Sequence, residues 1–170
     1  MSHWTKIRST WLGTRRLPGA VSLVICLVCA WVLGPLCTLV HELGHAVVAL
    51  RSADGPVRVS VGGRRWAARL RIGRLRISFS PCGLGGLCSY RGPELTRREH
   101  VRRTLAGPGA NLILAVALLP PLLSSNGVLH VALLTAVAIN AAMALGNLVP
   151  LPGRLAPVSD GRQMWSLLRR

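Results

Sequence analysis

The sequence predicts an α-helical membrane protein with about three core transmembrane helices and a small insertion that contains β-strands. Hydrophobic residues make up 51% of the 170 residues, yet the chain carries 21 basic side chains, so the apolar residues must be concentrated in blocks. Such blocks lie at about residues 19–50, 104–119 and 128–149. A run of about 18 or more apolar residues can cross the bilayer core as a helix. We expect a single domain over residues 1–170, with a basic insertion at 51–103.

The first apolar block is predicted to be a retained helix rather than a cleaved leader. It contains no charged side chain before His41 and only Glu42 before Arg51. It is longer than the roughly 7–15 apolar residues of a signal peptide, and no small-residue cleavage site follows it. Gly34-Pro35 is expected to interrupt or kink this helix, because proline has no backbone N–H to donate.

The insertion is predicted to form short β-strands followed by a basic helix. Apolar and polar residues alternate with period two in Val57–Val61, Ala68–Ile72 and Leu75–Phe79, which is typical of strands with one apolar and one charged face. We expect residues 81–92 to form a loop. Residues 94–103 have the pattern of a basic amphipathic helix that leads into the second span.

The ends of the second and third spans are indicated by prolines and by a turn. Pro120-Pro121 closes the second span, the turn residues 124–127 follow, and Pro150 stops the third span.

The formal net charge of +16 predicts the orientation of the chain in the membrane. Thirteen basic residues lie in the insertion and four after Pro150, against four before residue 17. Cytoplasmic segments carry an excess of arginine and lysine, so we expect residues 51–103 and the tail in the cytoplasm. The expected location is a bacterial plasma membrane. Because the arginines flank the spans, they favour contact with anionic lipid over nucleic acid, and no nucleic-acid partner is expected.

The five cysteines do not form a repeated metal-binding pattern. Cys26 and Cys29 lie in the first span, where we expect them to pack as small apolar residues. Cys82 and Cys88 flank a glycine-rich stretch, and either pairing or metal binding remains open for them. A stable disulfide is not expected in the cytoplasm.

His41-Glu42-Leu43-Gly44-His45 is an HExxH motif on a predicted helix. A spacing of four places His41 and His45 on one helix face, where both imidazoles can reach one metal ion. Glu42 lies beside them and can accept a proton from a metal-bound water. Three ionisable residues within an apolar span are costly without compensation, and a bound cation supplies it. The motif therefore predicts a zinc site.

A catalytic zinc site usually takes three protein ligands and leaves one position open. Asp160 is the only acidic residue after Glu99, so it is the best candidate for the third ligand. His3, His100 and His130 lie in other contexts and are not expected to be ligands.

Three motifs together resemble the site-2 protease family of intramembrane zinc metalloproteases, across nearly the whole chain. The HExxH motif lies in an early span, and residues 107–111 match the family's GPxxN segment in the next core span. Asn147-Leu148-Val149-Pro150 with Asp160-Gly161 resembles the family's NxxP…DG element. The stretch between Asn147 and Asp160 is longer than usual, and Ser159 stands where the family often has an apolar residue.

The resemblance implies residue roles. His41, His45 and Asp160 bind zinc, and Glu42 is the general base. Asn111 and Asn147 are the polar candidates to position substrate or to stabilise an oxyanion. Hydrogen bonding between helices is the structural alternative for both asparagines.

The depth of the motif residues agrees with the resemblance. His45 is six residues from Arg51, and Asn111 is eight residues from Arg103. At 1.5 Å per residue, these positions lie about 9 and 12 Å inside the proposed cytoplasmic edge. The motifs can therefore meet at one level that water can reach from the cytoplasm.

The function predicted from these features is zinc-dependent hydrolysis of peptide bonds in or near the transmembrane segments of membrane-embedded protein substrates. The alternative is a catalytically silent scaffold or chaperone of the same fold. Glu42 argues against that alternative, because a protein that only binds partners needs no base between two histidines.

Overall fold

A computed structural model describes residues 18–63, 66–83, 85–93, 95–150 and 159–169. This part of the chain forms helices and one small mixed sheet. The elements in chain order are α1 (Gly19–Ser52), β1 (Val57–Val61), β2 (Ala68–Ile72), β3 (Leu75–Phe79), β4 (Gly86–Ser89), α2 (Arg97–Ala117), α3 (Leu119–Ser124), α4 (Gly127–Leu148) and α5 (Asp160–Leu168).

Three helical segments in the described residues are long and apolar enough to cross a membrane. They are Gly19–Ser52, Arg97–Ser124 and Gly127–Leu148, with mean hydropathies of 2.6, 1.6 and 2.1. In their most apolar windows, only 11%, 28% and 17% of the residues are buried within the protein. The remaining apolar surface requires lipid, as in other membrane helix bundles. The predicted α-helical membrane fold with a small β insertion is confirmed, and the chain is an integral membrane protein.

Helix α1 is continuous through Pro35, so the predicted interruption at Gly34-Pro35 is wrong. Proline lacks only the one N–H that would reach back to the carbonyl of Trp31. The apolar helix on either side retains its other hydrogen bonds, and in lipid a broken helix would expose further backbone groups. The helix therefore extends unbroken to the HExxH residues.

The predicted basic helix and second span form one helix, α2. It begins with a capping box, in which the Thr96 hydroxyl accepts from the Glu99 N–H and the Glu99 carboxylate accepts from the Thr96 N–H. Arginine is a strong helix former, so nothing in this basic segment ends the helix before the apolar residues begin. The helix ends at Ala117, and the short helix α3 places Pro120 and Pro121 in its first turn.

The sheet has the strand order β2-β3-β1-β4. The three predicted strands lie where the alternation placed them, with β1 parallel to β3 and β2 antiparallel to β3. The predicted loop at residues 81–92 is partly wrong, because it contains β4 (Gly86–Ser89), which pairs antiparallel with β1. Four residues after a glycine-rich stretch show no usable alternation, and only pairing with β1 makes them a strand.

The apolar face of the sheet packs on the C-terminal half of α1. Val57, Val59 and Val61 alternate with exposed residues along β1 and are at most 2% exposed. They form the core of the insertion together with Ala46 and Ala49 of α1. This packing holds the sheet beside the HExxH turn and places β4 against the candidate site.

Candidate active site

The HExxH residues lie on the inner side of α1. His41 and Glu42 are 5% and 8% exposed, and His45 is partly buried. The two imidazole rings lie one turn apart with their centroids separated by 4.8 Å in an edge-to-face arrangement. The spacing of four residues thus brings both rings to one place, as the sequence predicts.

Asp160 reaches the two histidines from 119 residues further along the chain than His41. Its Oδ2 atom lies 3.1 Å from the Nε2 atom of His41, and its Oδ1 atom lies 3.4 Å from the Nε2 atom of His45. The two Nε2 atoms are 3.2 Å apart. The structure therefore brings together the three residues that the sequence proposed as metal ligands.

Ser159 fixes the direction in which Asp160 enters the site. Its hydroxyl accepts a hydrogen bond from the Arg162 N–H at 3.3 Å and donates one to the Val149 carbonyl at 2.9 Å. The first contact caps α5. The second ties the start of α5 to the end of α4. A serine at this position therefore has a structural reason.

The three side chains offer the ligand types of a tetrahedral zinc ion. Ligand atoms around such an ion, at bond lengths of about 2.0–2.1 Å, lie about 3.3–3.4 Å from one another. The Nε2 atoms of the two histidines are 3.2 Å apart, whereas the contacts of 3.1 Å from His41 and 3.4 Å from His45 are to different oxygens of Asp160. Two imidazoles and one carboxylate are a common catalytic ligand set. Among the described residues, this is the group of histidine, cysteine and acidic side chains whose ligand atoms, one from each side chain, lie within 4.8 Å of one another.

A hydrogen bond to the backbone sets the orientation of His45. Its Nδ1 atom lies 2.8 Å from the carbonyl oxygen of Arg103, which can only accept. The proton of a neutral ring is therefore on Nδ1, and Nε2 presents its lone pair to His41 and Asp160. The His45 lone pair and the Asp160 carboxylate converge with the His41 ring at 3.1–3.4 Å, an arrangement that a bound cation would stabilise.

Two glycines allow the close approach of helices around the ligands. A Cβ atom at Gly107 would lie 2.4 Å from the Nε2 of His45 and 2.7 Å from the Nε2 of His41. Helix α2 can therefore pack this closely against the two imidazole rings only because residue 107 is glycine. A Cβ atom at Gly161 would lie 2.1 Å from the carbonyl oxygen of Leu148. The glycines of the GPxxN and DG motifs thus have clear steric roles.

Strand β4 covers Glu42. A Cβ atom at Gly86 would lie 2.5 Å from the Glu42 Cγ atom and 2.6 Å from its Oε1 atom. The backbone of Cys88, two residues further along β4, also contacts the Glu42 carboxylate. The sequence analysis missed β4 as part of the site, and only its glycine-rich start hinted at a close backbone approach.

A cavity of about 930 Å³ joins these groups. His41, Glu42, His45 and Asp160 all line it. Asn147 also lines the cavity, and its Nδ2 atom donates to the Met143 carbonyl at 3.0 Å.

Asn111 does not lie on the cavity wall. It is fully buried in the bundle, and neither of its side-chain polar atoms has a hydrogen-bond partner in the described part of the chain. The two asparagines that the sequence treated alike therefore occupy different environments.

The structure also reveals polar residues that the sequence analysis did not select. Asn140 of α4 is fully buried and donates to the Cys37 sulfur at 3.1 Å, one turn before His41. Tyr90 and Arg103 line the cavity, and the Arg103 guanidinium donates to the Tyr90 hydroxyl. An asparagine within an apolar run was the only available signal for Asn140.

All five cysteines are free thiols. Cys26 is partly buried and accepts a long hydrogen bond from Thr135 at 3.5 Å, consistent with the predicted packing role. Cys82 is exposed, whereas burial raises the pKa of Cys88 to about 11, with the nearby Glu42 carboxylate adding to the effect.

The other histidines stay apart from the ligand cluster in the described residues. His100 lies 3.2 Å from the Arg103 guanidinium, and His130 lies near Ser125 at the other end of the bundle. His3 lies outside the described residues.

Comparisons with known proteins bear on the family of the chain. A search among curated proteins finds no match to this chain. The family model of Peptidase family M50, a metallopeptidase family, matches residues 29–131. The matched region is more than half of the chain and contains the HExxH helix, the sheet and α2, while Asp160 lies beyond it and is supported by geometry alone. The chain belongs to peptidase family M50, the site-2 protease family.

Proposed function

We propose that this protein is an intramembrane zinc metalloprotease that hydrolyses peptide bonds in or near the transmembrane segments of membrane-anchored proteins. One observation carries the proposal: His41, His45 and Asp160 converge within 4.8 Å at a cavity that Glu42 also lines. The cavity lies among helices that are apolar enough to span a membrane. Membership of a peptidase family supports the reaction type.

Each residue of the cluster has a chemical role in this proposal. His41 and His45 provide Nε2 lone pairs and Asp160 provides a carboxylate, which together hold the ion. A bound zinc ion would supply a Lewis acid that makes water acidic enough to ionise near neutral pH. Glu42 accepts the proton of the attacking water. It then donates that proton to the amide nitrogen as the carbon–nitrogen bond breaks.

Asn147 is the better candidate to stabilise the developing oxyanion, because it lines the cavity. For this role, the Asn147 Nδ2 atom must break its hydrogen bond to the Met143 carbonyl and donate to the substrate oxygen instead. We assign Asn111 to helix packing, since it is fully buried away from the cavity.

The substrate segment is proposed to bind in an extended conformation along β4. This strand is at one edge of the sheet, and in the described residues only β1 pairs with it. Its residues 86–89 also line the cavity beside Glu42. An exposed strand edge can bind an extended peptide through main-chain hydrogen bonds, which explains how an unwound segment is presented.

The proposed orientation follows from the charges that flank the helices. The sheet, the start of α2 and α5 lie on the same side of the bundle as the ligand cluster, and they carry most of the basic residues. The positive-inside tendency places this side in the cytoplasm of a bacterial cell.

Replacing the proposed base tests the function directly. Membranes from a strain bearing Glu42→Gln should accumulate uncleaved single-span proteins that the parent strain processes. Glu99→Gln is the matched control, because it makes the same change at an exposed glutamate and glutamine can preserve the capping box. If the Glu42→Gln and Glu99→Gln membranes are identical, the protein does not act as a protease, and a scaffold or chaperone role replaces this proposal.

A further inference from the structure

The cavity extends beyond the metal-ligand cluster along two helices. Gly34 and Thr38 of α1 line this extension together with Ile139, Met143 and Gly146 of α4. We call this region the α1–α4 groove. The positions follow helical spacing on both sides, since steps of three and four residues keep side chains on one helix face. The groove is therefore lined by one face of α1 and one face of α4.

The groove leads from the ligand cluster into the membrane-spanning part of the protein. Gly34 precedes His41 by seven residues of continuous helix, which at 1.5 Å per residue corresponds to about 10 Å. This distance is roughly two helical turns. The groove therefore extends away from the sheet and towards the middle of α1.

In the described part of the chain, the two polar side chains at the groove, Thr38 and Asn147, already donate hydrogen bonds. The Thr38 hydroxyl donates to the Gly34 carbonyl at 3.0 Å, and the Asn147 amide donates to the Met143 carbonyl at 3.0 Å. Both polar side chains thus bond to the preceding turn of their own helix. With Ile139 and Met143 beside them, these walls suit an apolar occupant better than a polar one.

The two glycines of the groove differ from those that pack inside the bundle. Among the described residues, no atom lies within 4 Å of an ideal Cβ at Gly34 or Gly146. At Gly44, in contrast, a Cβ would lie 2.3 Å from the Ala106 carbonyl oxygen. Packing of the chain on itself therefore explains Gly44 but not Gly34 or Gly146, whose side-chain positions face open space.

We propose that the α1–α4 groove holds the transmembrane helix of the substrate, and that Gly34 and Gly146 leave the width this helix needs. The inference rests on the proposed protease function. The groove and the residues His41, Glu42, His45 and Asp160 line the same cavity. A substrate whose peptide bond lies at these residues can therefore continue into the groove. Small residues let apolar helices approach closely, so a substrate helix with a small residue at the contact fits best.

Two synthetic substrates distinguish a defect in binding to the groove from a defect in the catalytic residues. One is a fluorogenic peptide whose cleavage sequence adjoins a transmembrane segment of about 20 leucine and alanine residues. The other is a short soluble peptide with the same cleavage sequence. Gly34→Leu and Gly146→Leu, reconstituted in lipid vesicles, should lower kcat/KM for the transmembrane peptide by roughly ten-fold or more. Cleavage of the short peptide and zinc content should stay at the parental level.

The matched control is Ala138→Leu, which adds side-chain volume at an exposed position of α4 that does not line the cavity. It should cleave both peptides like the parent. Gly146→Ala provides a smaller change that introduces only one methyl group, and it should give an intermediate loss if Gly146→Leu does not fold.

The outcomes distinguish failure of this inference from failure of the proposed function. If the glycine variants cleave both peptides at parental rates, the substrate helix does not use the groove, and lipid chains occupy it. An equal loss with both peptides would show that the variants distort the ligand cluster instead, which also overturns the inference. If the zinc-loaded parent cleaves neither peptide, the protease function fails and the inference falls with it.

Discussion

Replacing Gly107 by alanine should disrupt the ligand cluster while the fold survives. The added Cβ would lie 2.4 Å from the Nε2 of His45 and 2.7 Å from the Nε2 of His41. Ordinary van der Waals contact begins at 3.4 Å, so the His45 ring must move by the difference of 1.0 Å. Zinc ligation tolerates deviations of only about 0.2 Å. The hydrogen bond of His45 to Arg103, at 2.8 Å, further restricts where this ring can go.

The magnitude of the effect follows from that displacement. A misplacement of about 1 Å at a reactive centre can cost roughly 100-fold in rate, and we expect losses of that order in both zinc affinity and cleavage. Overpacking costs about 1–3 kcal/mol of stability. The higher helix propensity of alanine stabilises the folded state by up to about 1 kcal/mol, which offsets part of this loss. The variant should therefore remain folded.

Purified variants in detergent provide the assay. Zinc content, zinc retention against a chelator and peptide cleavage are measured together with the melting temperature. The control is Gly109→Ala, two residues along the same helix, where no atom of the described residues lies within 4 Å of an ideal Cβ. This variant should match the parent in zinc retention and cleavage. Parental zinc affinity in Gly107→Ala would refute the reasoning, because the two imidazoles would then not meet α2 as the structure describes.

Two further predictions concern the ligand set and the orientation. Asp160→Ala should lose both zinc retention and cleavage, whereas Glu42→Gln should retain zinc and lose roughly 10²–10⁴-fold in rate; an Asp160→Ala variant with full zinc occupancy would place the third ligand elsewhere. A membrane-impermeant maleimide should label the exposed Cys82 only after cells are permeabilised, and Cys82→Ser should remove the signal. Cys88 should react slowly below pH 9, because its pKa of about 11 keeps it a thiol. Labelling of Cys82 in intact cells would reverse the proposed topology.

Local patterns in the sequence were sufficient for most of the secondary structure. The alternation in Val57–Val61 and in its two neighbours gave three strands with correct ends, because each residue type matches one face of a sheet that is apolar on one side. The long apolar runs gave the spans for a similar reason, since lipid imposes a minimum length on a helix. These features depend on neighbouring residues and on the solvent, and both can be read from the chain.

The errors arose where distant residues decide the structure. β4 exists because residues 86–89 meet β1, more than 20 residues earlier in the chain. The continuity of α1 through Pro35 reflects the surrounding lipid and packing rather than the local preference of proline.

For the site, the sequence by itself determined the chemistry that the chain offers: an HExxH pair on one helix face, a glutamate between the histidines, and one aspartate left for the tail. Spacing within a helix fixes such geometry, because the helix is rigid and regular. Only the tertiary structure decided that Asp160 lies 3.1 Å from His41, that β4 covers Glu42, and that Asn147 but not Asn111 lines the cavity. These relations depend on how separate elements pack, and packing is set by contacts between residues that are far apart in the chain.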